Sequence, residues 1–395
     1  MDTPVHKIGV LLDFPPSGGG TFQYNQSILD ALAALPHAQF KIFVVYTSEL
    51  WIEKLKAYDF SKIYVRKNFT GKALWKIWHL RRLSISVWRK ILRRAIAVEK
   101  CLESLACDLW IFPSQDSMVY RFTGKGVATI HDLMHRYEGH FPENSENGEY
   151  ERREYHYKNI CRYAEAILVD SRMGAAHVIE SYSVSENRIF VLPYTPPKYI
   201  FENAADLDLS KRKLPEKFIF YPSQFWEHKN HSRLLDAAKK LKTNGIPIHL
   251  VFSGSKNEIF EKLTKYARDL GLQDQVYFMG HISDLEMASF YKKARALMMP
   301  TFFGPTNIPP LEAFAIGCPV AVSKIYGMPE QLGDAALYFD PGSIDEISEI
   351  MRRLWTDDRL CKDLSERGKI KSTEWHQSHF NKKLCEILLS VLGTR

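Results

Sequence analysis

Residues 276–323 read VYFMGHISDLEMASFYKKARALMMPTFFGPTNIPPLEAFAIGCPVAVS, and this stretch decides the fold. The short apolar runs at 276–281, 296–300 and 319–323 have the length and composition of buried strands. The segments between them, 285–294 and 310–316, have helical character. Strands that alternate with helices predict a parallel α/β sheet with helices packed on its faces.

The same alternation continues on both sides, with one interruption. Residues 196–216 are rich in proline and polar side chains and predict a linker. We therefore predict two Rossmann-like domains facing a cleft, an N-terminal one at 1–195 and a C-terminal one at 217–375. A final helix at 376–395 is expected to pack back on the N-terminal domain. Ligands of such sheets bind at the carboxyl ends of the strands.

The composition is that of a globular protein. Of the 395 residues, 45% are hydrophobic and 25% are charged, which argues against disorder and coiled coil. No apolar run approaches the ~20 residues that span a bilayer, and the N-terminal apolar stretch is too short for a signal peptide. The six cysteines form no C-x-x-C pair, which indicates free thiols in a reducing compartment. We expect a cytoplasmic protein.

The net charge of +7 is concentrated in one segment, 66–100. This segment holds eleven lysine and arginine residues and one acid, a net charge of +10, whereas the remaining residues carry −3. Apolar residues recur in it at helical spacing beside three tryptophans, which predicts an amphipathic helix docked on an anionic membrane surface. One alternative is a helix packed on the sheet with a solvated basic face. The cations assigned to this surface are Lys72, Lys76, Arg81, Arg82, Arg89, Lys90, Arg93 and Arg94.

A nucleic-acid-binding protein is a second interpretation of the basic segment. The segment lacks a recognised binding fold, and two α/β domains would remain unexplained. We therefore expect no nucleic-acid partner.

Four strand ends carry candidate chemistry. The glycines 18–20 follow the first strand and either form a tight turn or approach a phosphate; they do not fit the G-x-G-x-x-G pattern of a dinucleotide site. Lys229 is either a solvated lysine or a charge that reaches a diphosphate. Glu312, in the first turn of a helix, either interacts with the helix dipole or accepts hydrogen bonds from a diol such as ribose. His131 and His135 have the spacing of a metal pair but lack a third ligand, so no metal is expected.

Together these stretches resemble the retaining glycosyltransferases of group 1 (family four), which have the GT-B fold. The resemblance rests on VATIHDLMH, AEAILVDS, FWEHKN, VYFMGHISDLEMASFYKKARALMMPT, PPLEAFAIGCPVAVS and MPEQLGDAALYFDPGS in this order. It implies transfer of a sugar from a nucleotide-diphosphate sugar to a glycan acceptor, which in many members of the family is lipid-linked. The expected process is cell-surface polysaccharide biosynthesis of the O-antigen or capsule type. It also implies a peripheral enzyme on the inner face of the membrane, with no metal and no cofactor beyond the donor.

The resemblance assigns roles to single residues. His131, Lys229 and Glu312 would be catalytic, with Lys229 on the diphosphate, Glu312 on the ribose and His131 near the donor sugar. The remaining donor contacts would come from Gly19, Gly20, Gln224, Gly280, His281, Ile282, Thr306, Asn307, Ile308 and Pro309.

Two positions depart from the family pattern. The family has an E-x7-E motif, and this chain has Gly304 in place of its first glutamate. The chain also has Gln224 in place of the arginine that accompanies the phosphate-binding lysine in the family. Asn307 is a candidate to replace the hydrogen bonds of the missing glutamate. A nucleotide-sugar 2-epimerase with the same fold is the alternative function.

Overall fold

The structure is a computed structural model that describes residues 5–16, 19–81, 83–91, 96–202 and 209–393. The chain forms two compact units. Unit 1 comprises Met1–Tyr137, Ser145–Tyr194 and Gln377–Arg395, and unit 2 comprises Glu138–Asn144 and Thr195–His376.

In the described part of unit 1, a seven-stranded sheet has every neighbouring pair of strands parallel. The strand order is β3-β2-β1-β4-β5-β6-β7, so the order reverses between β1 and β4. The strands are β1 (His6–Leu12), β2 (Phe40–Tyr46), β3 (Ser61–Tyr64), β4 (Leu109–Phe112), β5 (Gly126–Thr129), β6 (Ala166–Val169) and β7 (Ile189–Val191).

Helices connect these strands. They are α1 (Gly19–Ala33), α2 (Trp51–Leu55), α3 (Phe69–Leu80), α4 (Ile85–Ile91), α5 (Ala97–Leu105), α6 (Met118–Arg121), α7 (Met134–Tyr137), α8 (Pro142–Ser145), α9 (Glu149–Tyr163) and α10 (Arg172–Tyr182). All but α8 lie wholly in unit 1; α8 begins within Glu138–Asn144, which belongs to unit 2.

Unit 2 repeats this plan with six strands among its described residues. Their order is β10-β9-β8-β11-β12-β13, again parallel throughout, and it reverses between β8 and β11. The strands are β8 (Ile219–Pro222), β9 (Leu250–Ser253), β10 (Val276–Phe278), β11 (Ala296–Met299), β12 (Val320–Ser323) and β13 (Ala336–Phe339).

The helices after Tyr194 follow the same alternation. They are α11 (Lys198–Glu202), α12 (His231–Thr243), α13 (Glu258–Asp269), α14 (Asp284–Lys293), α15 (Pro309–Ile316), α16 (Met328–Leu332), α17 (Ile344–Thr356), α18 (Asp358–Glu374) and α19 (Gln377–Leu392). Helix α19 belongs to unit 1, where it packs against α1.

The central strands are buried on both faces. Every residue of β4, β11 and β12 is buried, because helices cover both sides of each sheet. These strands are therefore continuous apolar runs rather than alternating ones, which is why they could be recognised in the sequence.

Three details differ from the sequence-based expectation. The apolar residues spaced along 22–35 predict a helix there, and helix α1 begins three residues earlier, at Gly19. The predicted linker contains helix α11. Residues Glu138–Asn144, assigned to the N-terminal domain by their place in the chain, group with unit 2.

The basic segment forms two helices, α3 and α4, rather than one. Its tryptophans point inward: Trp88 is fully buried, and Trp75 and Trp78 pack against it with ring centroids 5.0 and 5.4 Å away. The Arg121 guanidinium lies 4.5 Å from the Trp75 ring and 5.1 Å from the Trp88 ring, and it pairs with the buried Glu99. For Trp88 the expectation of a ring at a membrane interface is therefore wrong, because this residue is part of the core. Trp75 and Trp78 are partly buried and pack against the core.

Candidate functional site

Several of the predicted donor residues lie at the carboxyl edge of the second sheet, in the segments that follow β8 and β11. Strands β8 and β11 are neighbours whose connections leave in opposite directions, which opens a crevice beyond their carboxyl ends. The loop after β8 carries Gln224 and Lys229, and the loop after β11 leads to Glu312 in α15.

Hydrogen bonds to the Lys229 carbonyl and from the adjacent Asn230 side chain fix the backbone of Lys229 at this edge. Its carbonyl accepts a hydrogen bond from the Tyr221 hydroxyl at 3.0 Å. The next residue, Asn230, has φ of +60° and donates from Nδ2 to the carbonyls of Pro300 and Pro341, each at 2.9 Å. The lysine side chain is half-buried. The end of β8 is thereby tied to the end of β11, which fixes the position from which the ammonium group projects.

A buried histidine next to Lys229 was missed by the sequence analysis. The His228 ring stacks on Phe303 with centroids 3.7 Å apart, and Nδ1 contacts the Glu143 carboxylate. Glu143 also accepts from the His228 backbone N–H at 3.1 Å, while Phe141 packs against Phe303. These contacts with His228 lower the pKa of Glu143 despite its partial burial, which opposes the shift. Because Glu143 and His228 lie 85 positions apart, no local sequence pattern connects them.

Gln224 is exposed and is engaged by the neighbouring loop. Its Oε1 accepts a hydrogen bond from the Ser255 backbone N–H at 3.1 Å. The side chain that replaces the family's arginine therefore supports the loop after β9.

The loop before α15 is shaped around Asn307. Gly304 has φ of +119°, and a Cβ there would lie 3.1 Å from the Asn307 amide nitrogen. The Asn307 N–H donates to Gln331 Oε1 at 3.1 Å, and the Asn307 carbonyl accepts from Gln331 Nε2 at 2.9 Å. Pro309 has no N–H. The Asn307 N–H is therefore occupied within the protein, and neither Asn307 nor Pro309 offers a backbone N–H to a donor in this conformation.

Glu312 lies in the first turn of α15 and is only 5% exposed. Both of its carboxylate oxygens accept hydrogen bonds from tyrosines: Oε1 from the Tyr199 hydroxyl, and Oε2 from the Tyr291 hydroxyl at 2.7 Å. Burial raises the pKa of Glu312, and the two tyrosine hydroxyls oppose that shift. The sequence placed Glu312 correctly at the helix start, but nothing in it indicated the tyrosine partners.

The third loop of this edge follows β10. Gly280 has φ of +68°, and its carbonyl accepts from the Gly254 N–H at 3.0 Å. His281 is exposed and Ile282 is buried at the start of α14, the helix that supplies Tyr291. The predicted nucleobase border thus lies two strands away from β8 in the same sheet.

The remaining predicted residues lie in unit 1. Gly19 and Gly20 are the exposed first residues of α1, and Gly19 has φ of +79°. His131 follows β5, and its Nδ1 lies 2.8 Å from the Tyr194 hydroxyl. Burial lowers the pKa of His131 to about 4, so the imidazole is neutral at physiological pH. Among the described residues, no group of three or more His, Cys, Asp or Glu side chains is placed to hold a metal ion.

Part of the predicted membrane surface is described. Lys76, Arg81 and Lys90 are exposed, whereas Arg89 lies 4.8 Å from the Tyr163 ring. The Lys72 side chain and residues Arg82, Arg93 and Arg94 lie outside the described residues. Within those described residues, no helix is long and apolar enough to cross a membrane.

Comparison with known proteins supports the resemblance. Residues 206–371 match the family model described as glycosyl transferases group 1. The MMP α-(1→4)-mannosyltransferase of Mycolicibacterium hassiacum is 24% identical over 221 residues, covering 55% of this chain and 52% of that protein. The O-antigen chain mannosyltransferase RfbU of Salmonella typhimurium is 28% identical over 216 residues, covering 54% and 56%. The chain thus spans about half the length of these curated relatives.

The likeness in structure extends over the whole chain. The structure of Anabaena HepE in complex with UDP-glucose has a TM-score of 0.74 at 15% identity and covers 97% of this chain and 99% of that one. The predicted architecture of two Rossmann-like domains is confirmed by this likeness and by the two parallel sheets.

Proposed function

We propose that this chain is a retaining glycosyltransferase, because it has the GT-B fold and its residues 206–371 match the family model of glycosyl transferases group 1. It takes a hexose from a nucleoside-diphosphate sugar and transfers it to a hydroxyl of a glycan acceptor. The observation that carries this proposal is the position of Lys229 and Glu312 in the segments that follow β8 and β11, the neighbouring strands at which the strand order reverses.

The charges at this edge match the chemistry of the donor. Departure of the diphosphate leaves an oxocarbenium-like sugar and a developing dianion. Lys229 supplies a cation for that dianion, and the start of α15 supplies backbone dipoles of the same sign. These groups stabilise the negative charge of the diphosphate, which a metal ion would otherwise neutralise. We therefore propose that transfer requires no metal.

Retention follows if the acceptor attacks on the face from which the diphosphate leaves. In this mechanism a phosphate oxygen of the donor accepts the proton of the attacking hydroxyl, and the C–O bond to the phosphate breaks as the new glycosidic bond forms. The protein then contributes orientation and charge stabilisation rather than a carboxylate nucleophile.

The names of the relatives guide the choice of substrates. Both sequence relatives described above are named mannosyltransferases, and one is named for the O-antigen chain. We therefore propose GDP-mannose as the first donor to test and a cell-surface polysaccharide of the O-antigen or capsule type as the product.

The test incubates the protein with GDP-, UDP-, ADP- and dTDP-hexoses, with and without mannose-containing oligosaccharides, in the presence and absence of EDTA. We expect one donor to yield an elongated oligosaccharide whose NMR anomeric coupling matches that of the donor. Product with the inverted anomeric configuration would refute retention, and loss of activity in EDTA would refute metal independence. Consumption of the donor to a C2 epimer without acceptor would identify the 2-epimerase instead.

We further propose that α3 and α4 attach the enzyme to the cytoplasmic face of an anionic membrane. With the tryptophans in the core, the exposed apolar surface of these helices is aliphatic. Leu74, Ile77, Leu80, Leu83 and Val87 are between 39% and 71% exposed. Three exposed cations accompany them: Lys76 on α3, Arg81 directly after α3 and Lys90 on α4. Each contributes about 1 kcal/mol near an anionic surface.

Vesicle flotation tests this attachment. The protein should float with vesicles that contain phosphatidylglycerol, should not float with purely zwitterionic vesicles, and should be released by high salt. The double variant Ile77→Ser/Leu80→Ser should reduce flotation, whereas Leu285→Ser, an equally exposed leucine in unit 2 (59%), should not. Equal flotation of both variants would refute the role of α3.

A further inference from the structure

The switch point of the first sheet holds a polar cluster that the donor site does not use. Strands β1 and β4 are neighbours at which the strand order reverses, so their carboxyl ends border a crevice of the kind that binds ligands in open α/β sheets. Asp13 directly follows β1, and Asp116 lies in the turn after β4.

The Asp13 carboxylate has two partners within the protein. Its Oδ1 lies 2.7 Å from Lys67 Nζ and accepts a hydrogen bond from Thr47 Oγ1 at 2.9 Å. The side chains of Asp13 and Lys67 are 25% and 32% exposed, so the ion pair borders solvent. It presents one carboxylate and one ammonium group at the edge of the sheet.

Asp116 differs because it is buried and incompletely bonded. The residue is 8% exposed, and its Oδ2 is buried with no hydrogen-bond partner among the described residues. A buried polar atom without a partner costs on the order of 1–3 kcal/mol. Natural proteins retain few such atoms, and those that persist call for an explanation.

The turn that carries Asp116 is held rigidly. The preceding residue, Gln115, has φ of +55°, a conformation that its surroundings must stabilise. Its side-chain Oε1 accepts from the His131 N–H at 3.0 Å and from the Tyr157 hydroxyl at 2.9 Å. Its carbonyl lies 2.8 Å from His156 Nε2. The carboxyl group of Asp116 is thereby fixed in position before any ligand arrives.

The charges around Asp116 are balanced without it. Two cations act electrostatically on Asp116: Lys67, which pairs with Asp13, and Arg121, which pairs with Glu99. Burial and the charge of Asp13 raise the pKa of Asp116 well above its usual range, against the smaller effects of the two cations and the Ser114 backbone. A protonated carboxyl there offers both a donor and an acceptor to a ligand.

We propose that Asp116, together with Asp13 and Lys67, forms a subsite for hydroxyl groups of an electrically neutral acceptor sugar. This inference rests on the proposed glycosyltransferase function and assigns part of its acceptor site. Adjacent hydroxyls of a sugar both donate and accept, which suits a carboxyl group beside a carboxylate and an ammonium group. A phosphorylated or carboxylated sugar would bring its charge against the Asp13 carboxylate, and the ammonium group of Lys67 is already paired with that carboxylate, so this subsite rejects it.

The test measures binding of small probes directly. Methyl α-D-mannopyranoside, methyl α-D-glucopyranoside and methyl α-D-galactopyranoside are compared with mannose 6-phosphate by saturation-transfer NMR on the full-length protein. We expect at least one neutral glycoside to bind the wild type. The same glycoside should bind Asp116→Ala with an affinity at least about tenfold lower. Asp116→Asn, which keeps one donor and one acceptor, should restore most of the binding. Asp59→Ala, an exposed aspartate of the same unit, is the control.

Several results would overturn the inference. These are unchanged binding by Asp116→Ala, failure of every neutral glycoside to bind the wild type, or stronger binding of mannose 6-phosphate than of mannoside. Should Asp116→Ala not fold, Asp13→Asn with an intact thermal transition provides the same comparison. Absence of hydrolysis and transfer in the wild type would refute the proposed function, whereas the probe measurements do not depend on turnover.

Discussion

Replacing Glu312 by glutamine tests whether a carboxylate held by two tyrosines also holds the ribose of the donor. An ionised carboxylate accepts about four hydrogen bonds. Tyr199 and Tyr291 take one on each oxygen. One position on each oxygen therefore remains for the two ribose hydroxyls.

Glutamine keeps one acceptor oxygen and replaces the other by a donor. One ribose hydroxyl then loses a hydrogen bond to a charged group, which is worth about 1.5–3 kcal/mol. The affinity for a nucleoside diphosphate should fall by about 10- to 150-fold. Burial also raises the pKa of Glu312. The affinity of the wild type for the nucleotide should therefore begin to fall, on acidification, at a higher pH than it would if this glutamate had its ordinary pKa. The variant should lack that decline.

Calorimetric titration with UDP, GDP and their 2′-deoxy analogues measures these effects. In the wild type the 2′-deoxy analogue should bind more weakly than the parent nucleotide, whereas in Glu312→Gln the difference should shrink. Glu258→Gln, in the first turn of α13, is the matched control, because this exposed glutamate shares only the interaction with a helix dipole. Equal losses from the deoxy substitution in wild type and variant would refute contact with the ribose and leave Glu312 as the residue that positions Tyr199.

Three further predictions follow from the same geometry. Lys229→Ala should lower kcat/KM for the donor more than Gln224→Ala, since the glutamine supports the Ser255 loop; steady-state kinetics in which the glutamine variant is worse would reverse the assignment. Gly304→Glu, which restores the family's glutamate, should lower the thermal midpoint because of its positive φ and the 3.1 Å approach to Asn307, and adding Asn307→Gly should recover part of the loss. Glu154→Gln should weaken the dependence of the free energy of unfolding on pH in the acid range. Ion pairs depress the pKa of Glu154 to about 2 in the folded protein, so its stabilising contribution is complete above the unfolded pKa of about 4.5 and is lost as the pH falls toward 2. Urea unfolding of wild type and variant between pH 7 and pH 3 measures this difference.

The donor edge could be predicted because strand ends are encoded locally. Apolar runs mark β8 and β11, and the polar residues that follow them must lie at the carboxyl edge of a parallel sheet. Lys229 and Glu312 were placed in this way. What holds them could not be predicted, because the Tyr199 hydroxyl reaches Glu312 across 113 positions and residue spacing carries no information about such contacts.

The basic segment shows a different limit. Helical spacing of apolar residues indicates that one face is covered, but it does not indicate by what. A membrane and a protein core demand the same pattern, and large aromatic rings suit both. The structure divides the apolar residues: the tryptophans enter the core beside Arg121, and the aliphatic residues from Leu74 to Val87 remain exposed.

The grouping of Glu138–Asn144 with unit 2 has a consequence for anyone who cuts or recombines this gene. Unit 1 is assembled from three stretches of chain and unit 2 from two, so no single cut yields either unit intact. A fragment limited to the family match at 206–371 would lack Phe141 and Glu143, and with them the carboxylate that contacts the buried His228 beside Lys229. Chimeras that exchange the C-terminal half with that of a relative should therefore carry the short 138–144 stretch along with it, because Glu143 contacts both the backbone N–H and the ring of His228.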